Sequence, residues 1–228
     1  MKVEEFYNLI SSEYTEMLER LVPRYREMLW MILDYIPKDL QPKRILDLGC
    51  GTGNLLEGLV QQYPDSMIQA VDISPSILEE AESRFNKSPQ IDFINGDFNT
   101  IEFESGSIDL IVSSIALHHL TDEQKVKVLQ KIYSWLSPDG VLIIGDQFAG
   151  NTTQQYQQHL ENWKQFSMDK NVPLKEWELW MDHQDKHDFH SPIEKYFEWS
   201  KQIGFHNVDV VWRYLLWSVF IAHKKSSK

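Results

Sequence analysis

The sequence predicts an α/β protein in which a doubly wound, mostly parallel sheet is flanked by helices. Three observations point there. Short apolar runs alternate with amphipathic stretches from Arg44 onward, the first run ends in a glycine turn that opens a helix, and only Arg213-Tyr214-Leu215 separates the last two runs. Strand–helix alternation implies parallel pairing, because a parallel neighbour is reached only through a crossover, whereas two tightly linked strands pair antiparallel.

In chain order, Phe6, Ile10, Tyr14, Met17, Leu18, Leu21, Tyr25, Met28, Leu29 and Ile32 recur at helical spacing, and Pro23 should break that helix in two. Arg44-Ile-Leu-Asp-Leu-Gly reads as a buried strand, followed by a helix from Asn54 to Tyr63. The rhythm repeats: strand Met67–Asp72, helix Ser76–Asn86, then strands at Ile91–Ile94 and Ile108–Ser113. Helix Thr121–Leu136 stops at Ser137-Pro-Asp-Gly140, and Val141–Gly145 is the fifth strand. Residues 148–191 mix polar helix formers with Trp163, Trp177 and Trp180, which predicts a helical insertion. Helix Pro192–Ile203 ends at Gly204, and Val208–Trp212 with Leu216–Ala222 form a closing hairpin. The expectation is one domain over 1–228: a seven-stranded sheet with a C-terminal antiparallel hairpin, an N-terminal helical cap (1–37) and the insertion after the fifth strand. Fraying is expected at Lys224–Lys228.

Composition narrows the function. With 42% apolar and 25% charged residues, the chain resembles ordinary soluble globular proteins. Its 22 basic against 34 acidic side chains give a net charge of −12, a field that repels phosphate backbones and disfavours nucleic acid as a partner. The N-terminus lacks a secretory pattern, and no apolar run approaches membrane-spanning length. Cys50 is the one cysteine, so no internal disulfide can form; a cytoplasmic setting is expected. Nothing in the sequence bears on oligomeric state.

The chemistry concentrates in Ile45-Leu-Asp-Leu-Gly-Cys-Gly-Thr-Gly-Asn54. Gly49, Gly51 and Gly53 permit unusual dihedrals and close approach of a ligand to the main chain. Asp72 ends the second strand, where a carboxylate accepts hydrogen bonds from both ribose hydroxyls of an adenosine-like ligand. Asp47, two residues before the first glycine, suits a ligand bearing ammonium and sulfonium cations and repels a diphosphate. This favours S-adenosylmethionine (SAM) over a dinucleotide.

The run Asp47-Leu-Gly-Cys-Gly-Thr-Gly53 resembles motif I of the class I SAM-dependent methyltransferases, which have a Rossmann-like fold, and the likeness extends over most of the chain. The resemblance implies that Asp72 holds the ribose with Ile73 beside the adenine. It also implies that Asp97 bonds the adenine amino group next to Phe98, and that the Ser113–Leu120 stretch, including Ser114, lies along the methionine part. The Leu117-His-His-Leu120 segment and the helical cap resemble the small-molecule branch that includes ubiquinone and menaquinone methyltransferases. The Asn/Asp-Pro-Pro-aromatic motif of amino-directed nucleic-acid methyltransferases is absent: Ser113-Ser-Ile-Ala stands there instead. The expected activity is in-line transfer of the SAM methyl group to a small-molecule acceptor. The alternatives are a catalytically silent SAM or S-adenosylhomocysteine (SAH) binder and a dinucleotide-dependent oxidoreductase.

Beyond the cofactor, His118 and His119 close the fourth strand, where either can act as general base or orient an acceptor, or simply cap and pack the loop; His119 is preferred. Tyr14, Tyr25 and Trp180 are placed to enclose an apolar acceptor, and Arg24 and Arg213 to bind a carboxylate, with core packing and surface ion pairing as the plainer roles. His183, His187 and His190 have partial metal-ligand spacing, but Gln184 replaces the Glu of a His-Glu-x-x-His pattern. No metal is expected, and His187 is assigned to a substrate-facing polar patch.

Overall fold

The computed structural model describes residues 3–225. Three helices open it: α1 (Val3–Ile10), α2 (Tyr14–Leu21) and α3 (Tyr25–Asp34). The break at Pro23 is present, with Val22 extended and Arg24 left-handed at φ 58°. A second interruption was not expected: Ser11–Glu13 form a 3-10 turn between α1 and α2. Serine is a poor helix-interior residue because its hydroxyl competes for backbone groups, and two serines coincide there.

The sheet has seven strands among the described residues: β1 (Arg44–Leu48), β2 (Met67–Asp72), β3 (Ile91–Asn95), β4 (Ile108–Ser114), β5 (Leu136–Gln147), β6 (His206–Tyr214) and β7 (Trp217–His223). Their order is β3-β2-β1-β4-β5-β7-β6. The first five pair in parallel, and β7 runs antiparallel to both β5 and β6, as the short link before it dictates. β5 begins earlier than the sequence suggests. Ser137–Gly140 lie within it as an irregularity, the pairing passing from Ile108↔Leu136 to Leu110↔Val141.

Helices cover both faces. α4 (Leu56–Gln62) and α5 (Pro75–Arg84) follow β1 and β2; Ser74 caps α5 by accepting from the Ile77 N–H, with Pro75 at the first helical position. α6 (Asp122–Trp135) starts from a capping box between Thr121 and Gln124. The insertion forms α7 (Thr153–Asp169) and α8 (Leu174–His187), and α9 (Ile193–Ile203) ends at Gly204, φ 112°. Strand alternation divides the core. Leu110 and Val112 pack with the N-terminal helices, while Ile111 and Leu142 pack on the other face with α6 and α9 residues such as Ile132 and Tyr196. Trp163 of α7 locks the insertion in place: its indole N–H donates to the Leu21 carbonyl at 2.6 Å, and its ring meets Trp177 and Trp217 edge-on. Among the described residues, no helix is long and apolar enough to cross a membrane. The fraying expected at the C-terminus falls, for residues 226–228, outside the described residues.

Register aligns the strand ends that matter. Leu48 pairs with Val71 and Ser114 with Gly145, so the carboxyl ends of β1, β2, β4 and β5 share one edge. Strand order reverses between β1 and β4, the crevice where open α/β sheets bind ligands.

Candidate active site

A cavity of about 170 Å³ opens at that crevice. Gly49 and Gly51 form one wall, Asp72 and Ile73 the second, and Asp97 with Phe98 the third; Tyr7, Tyr14 and His119 close it from the cap and from the loop after β4. A narrower recess continues from the shared Tyr14, Gly49 and Gly51 to Asp47, Tyr25 and Ser114.

The glycine turn is fixed by Gly49 and Cys50, whose N–H groups donate to the Val71 carbonyl at 2.8 and 3.0 Å. Its glycines do different things. A Cβ on Gly49 (φ 77°) would lie 2.3 Å from the Ala116 Cβ, so this glycine lets the β4 loop approach. One on Gly51 (φ 55°) would meet only the Tyr14 ring, at 3.3 Å, within the cavity wall. Gly53, read from the sequence as a ligand contact, lies outside both hollows; its Cβ would lie 2.5 Å from the Phe85 ring, which makes it a packing glycine.

The two acids differ in the same way. Asp72 accepts the Gly51 N–H and the Ser74 N–H, each at 3.0 Å. Burial raises its pKa and these bonds pull it back. Asp47 is fully buried, and neither of its oxygens has a hydrogen-bond partner among the described residues; burial, then the charge of Asp72, push its carboxyl up to about 8. Ser114 Oγ, in the same recess, is also unpartnered. Such groups are costly unless something satisfies them. Asp97 accepts from the backbone and side-chain nitrogens of Asn99, both at 2.8 Å. Between β4 and the histidines, Ile115 holds φ 52°, a conformation rare for a β-branched residue, while its N–H bonds the Gly145 carbonyl at 2.8 Å.

His118 and His119 part company. His119 lines the cavity, its Nε2 2.8 Å from the Tyr7 hydroxyl and its Nδ1 2.9 Å from Asp188 Oδ1. Burial, then the neighbouring His118, hold its pKa down. His118 turns away from the cavity and is buried against Asp146, Nδ1 to Oδ1 being 2.6 Å, with its backbone N–H on Oδ2 at 3.0 Å. Burial opposes charging His118, but the carboxylates of Asp146 and Asp188 raise its pKa overall.

Among the residues assigned to substrate, Tyr14 and Tyr25 line the hollows, and Tyr25 accepts from Asn54 at 3.1 Å. The others do not. Arg24 is exposed, paired with Glu27 and placed over the Tyr214 ring; Arg213 is exposed and bonds the Leu215 carbonyl. Trp180 is core, and the His187 ring lies tilted against His183, their centroids 5.0 Å apart. Helical phase explains both: Trp180, His183 and His187 share one face of α8, on which Phe6 of α1 packs against Trp180 and His183. The His183, His187 and His190 trio is divided, since His190 lies beyond the end of α8. Among the described residues, the grouping with metal-ligand geometry is instead His118, His119 and Asp188. Tyr7, Asp146 and Asp188 were not singled out as site residues. The signal for Asp146 was available, since an acid one residue past Gly145 must sit beside the loop after β4.

Residues 45–140 match the family model described as a methyltransferase domain. That match contains the glycine turn, Asp72, Asp97 and the histidine pair. Over residues 45–140, less than half of its length, the chain therefore carries a methyltransferase domain of the class I, SAM-dependent type. It is 24% identical to a carboxy-S-adenosyl-L-methionine synthase of Helicobacter hepaticus over 227 residues, covering 96% of this chain and 94% of that protein. It is 31% identical to a malonyl-[acyl-carrier protein] O-methyltransferase of Halalkalibacterium halodurans over 147 residues, 62% of this chain and about half (51%) of that one. In fold it is similar to Haemonchus contortus phosphoethanolamine N-methyltransferase 2, solved with S-adenosyl-L-methionine, at TM-score 0.71 and 16% identity, covering 99% of this chain and 60% of that one.

Proposed function

We propose that the chain transfers the methyl group of SAM to a small-molecule acceptor, with the cofactor held between the glycine turn and the carboxyl ends of β2 and β4. The observation that carries this reading is Asp47: a fully buried carboxylate without a partner, opening on the same hollow as the glycines. An ammonium group satisfies it, whereas a diphosphate does not. Asp72, with one lone pair on each oxygen taken by a backbone N–H, keeps acceptor capacity for the ribose hydroxyls. Ile73 and Phe98 offer apolar surface to an adenine, and Asp97 an acceptor for its amino group.

When bound, SAM supplies an electrophilic methyl on a sulfonium sulfur. The protein's part is alignment and exclusion of water. Tyr7 and Tyr14 roof the cavity, and the hydrogen-bonded Tyr7–His119 pair presents a polar edge that orients the acceptor. His118 serves that loop from behind rather than touching the acceptor. The described lining carries Asp47, Asp72 and Asp97 without Lys or Arg, which suits a ligand with ammonium and sulfonium cations better than one with a diphosphate.

Calorimetric titration with SAM, SAH and NADH tests the cofactor, and SAH formation across a panel of small acceptors tests the reaction. Micromolar binding of SAM or SAH without NADH, and turnover with at least one acceptor, is expected. Binding of NADH alone would overturn the reading.

A further inference from the structure

We infer that His118, His119 and Asp188 form a binding site for a divalent first-row transition metal ion of the zinc type, buried between the loop after β4 and the segment that follows α8. One ligand atom from each lies within 4.8 Å of the others. The three side chains are only 2%, 13% and 3% exposed. Each imidazole has one nitrogen already engaged and the other turned to Asp188. Nδ1 of His118 is held by Asp146 at 2.6 Å, which leaves Nε2 turned to Asp188 Oδ2 at 3.8 Å. Nε2 of His119 is held by Tyr7, leaving Nδ1 2.9 Å from Asp188 Oδ1. This is the outer-shell arrangement of metal-bound histidines, in which a carboxylate or hydroxyl orients the ring from its far side.

The His118–Asp188 distance is too long for a hydrogen bond, yet brings a ring nitrogen and a carboxylate oxygen face to face in a buried place. Two ligands of one tetrahedral ion, each about 2.0–2.1 Å from it, lie about 3.4 Å apart, so a small inward movement satisfies both. A second observation points the same way. His190 turns its Nε2 to Asp188 Oδ2, also at 3.8 Å; that nitrogen is buried and without a hydrogen-bond partner, while its Nδ1 is bonded to the Tyr156 hydroxyl at 2.7 Å. The segment is anchored around the spot: the Phe189 N–H donates to the His118 carbonyl at 2.7 Å, and buried Lys125 donates to the Phe189 carbonyl and to Ser191. Two histidines and one carboxylate leave coordination positions free. Because His119 also lines the cavity, an ion here fixes the ring that meets the acceptor.

Chelator-stripped full-length protein titrated with Co²⁺, read by ligand-field absorption and by competition with Zn²⁺, tests the proposal. Expected are one Co²⁺ per chain, its displacement by Zn²⁺, and affinity at least tenfold weaker in Asp188→Asn, with His187→Ala binding as wild type. Wild-type protein without a stoichiometric ligand-field band overturns the site whatever the variants do. So does wild-type Co²⁺ affinity in Asp188→Asn, or loss of the band in His187→Ala. A purely hydrogen-bonded histidine network gives the first of these results, and neither outcome depends on SAM binding.

Discussion

The Asp72 carboxylate accepts the Gly51 N–H at 3.0 Å, so the acid that ends β2 braces the glycine turn that follows β1. Its other oxygen holds the Ser74 N–H, where α5 begins. One side chain therefore shapes the turn, starts a helix and faces the cavity. Asp72→Ala is expected to weaken SAM binding more than tenfold, about 1.4 kcal/mol. It should also lower stability by about 1–3 kcal/mol through two backbone donors left without an acceptor. Titration calorimetry and urea unfolding measure the two effects, and unchanged SAM affinity removes Asp72 from the site.

Gly49 and Gly51 separate packing from binding. Both hold positive φ, so alanine at either costs about 1–2 kcal/mol of backbone strain. At Gly49 the new methyl also meets Ala116 at 2.3 Å, whereas at Gly51 it meets only the edge of Tyr14. Gly49→Ala should therefore unfold at lower denaturant than Gly51→Ala. Gly51→Val, which fills the cavity wall, should fold yet bind no SAM. Equal stabilities, or wild-type binding by Gly51→Val, contradict this division.

The sheet and the cofactor end could be read from the chain because both are local in sequence. Apolar periodicity fixes the strands, and Asp47, the glycines and Asp72 lie within two consecutive strand–turn units. The histidine site could not be read in this way. His118 meets Asp146 across 28 residues, and Tyr7 reaches His119 across 112. No periodicity encodes such pairs; they appear only once β4 lies beside β5 and the cap is closed. Arg24 and Arg213 failed for a related reason: sequence shows that a guanidinium exists, not that a tight turn points it to solvent. Gly53 shows the limit of a motif, since the three glycines of one pattern meet three different neighbours, Ala116, Tyr14 and Phe85.

Trp163 ties three layers together, its ring against Trp177 and Trp217 and its N–H on Leu21. Trp163→Ala should destabilise by about 3–5 kcal/mol, as for other fully buried large aromatics. Trp163→Phe keeps most of the packing but loses the hydrogen bond, and should cost about 1 kcal/mol plus the smaller ring's lost contacts. Urea unfolding compares them. A loss under 1 kcal/mol in Trp163→Ala means that the insertion is not coupled to the sheet.

Asp47 makes cofactor binding and stability depend on pH in a defined direction. Burial pushes its carboxyl to about 8 in the free protein, against an ordinary 3.8. Between those values the folded protein keeps a proton that the unfolded chain has released. Its contribution to stability is therefore complete below about pH 4 and is lost as pH rises through about 8. The melting temperature of the free protein should fall over that interval, and fall less in Asp47→Asn. An arriving ammonium group favours the charged carboxylate, so at pH 7 SAM binding should expel a proton. Calorimetry in buffers of different ionisation enthalpy reads this as a slope towards one proton released per SAM, and Asp47→Asn should abolish the slope. Wild-type enthalpies identical in every buffer would show that Asp47 does not receive the ammonium, and with it the choice of SAM over a dinucleotide would lose its main physical support.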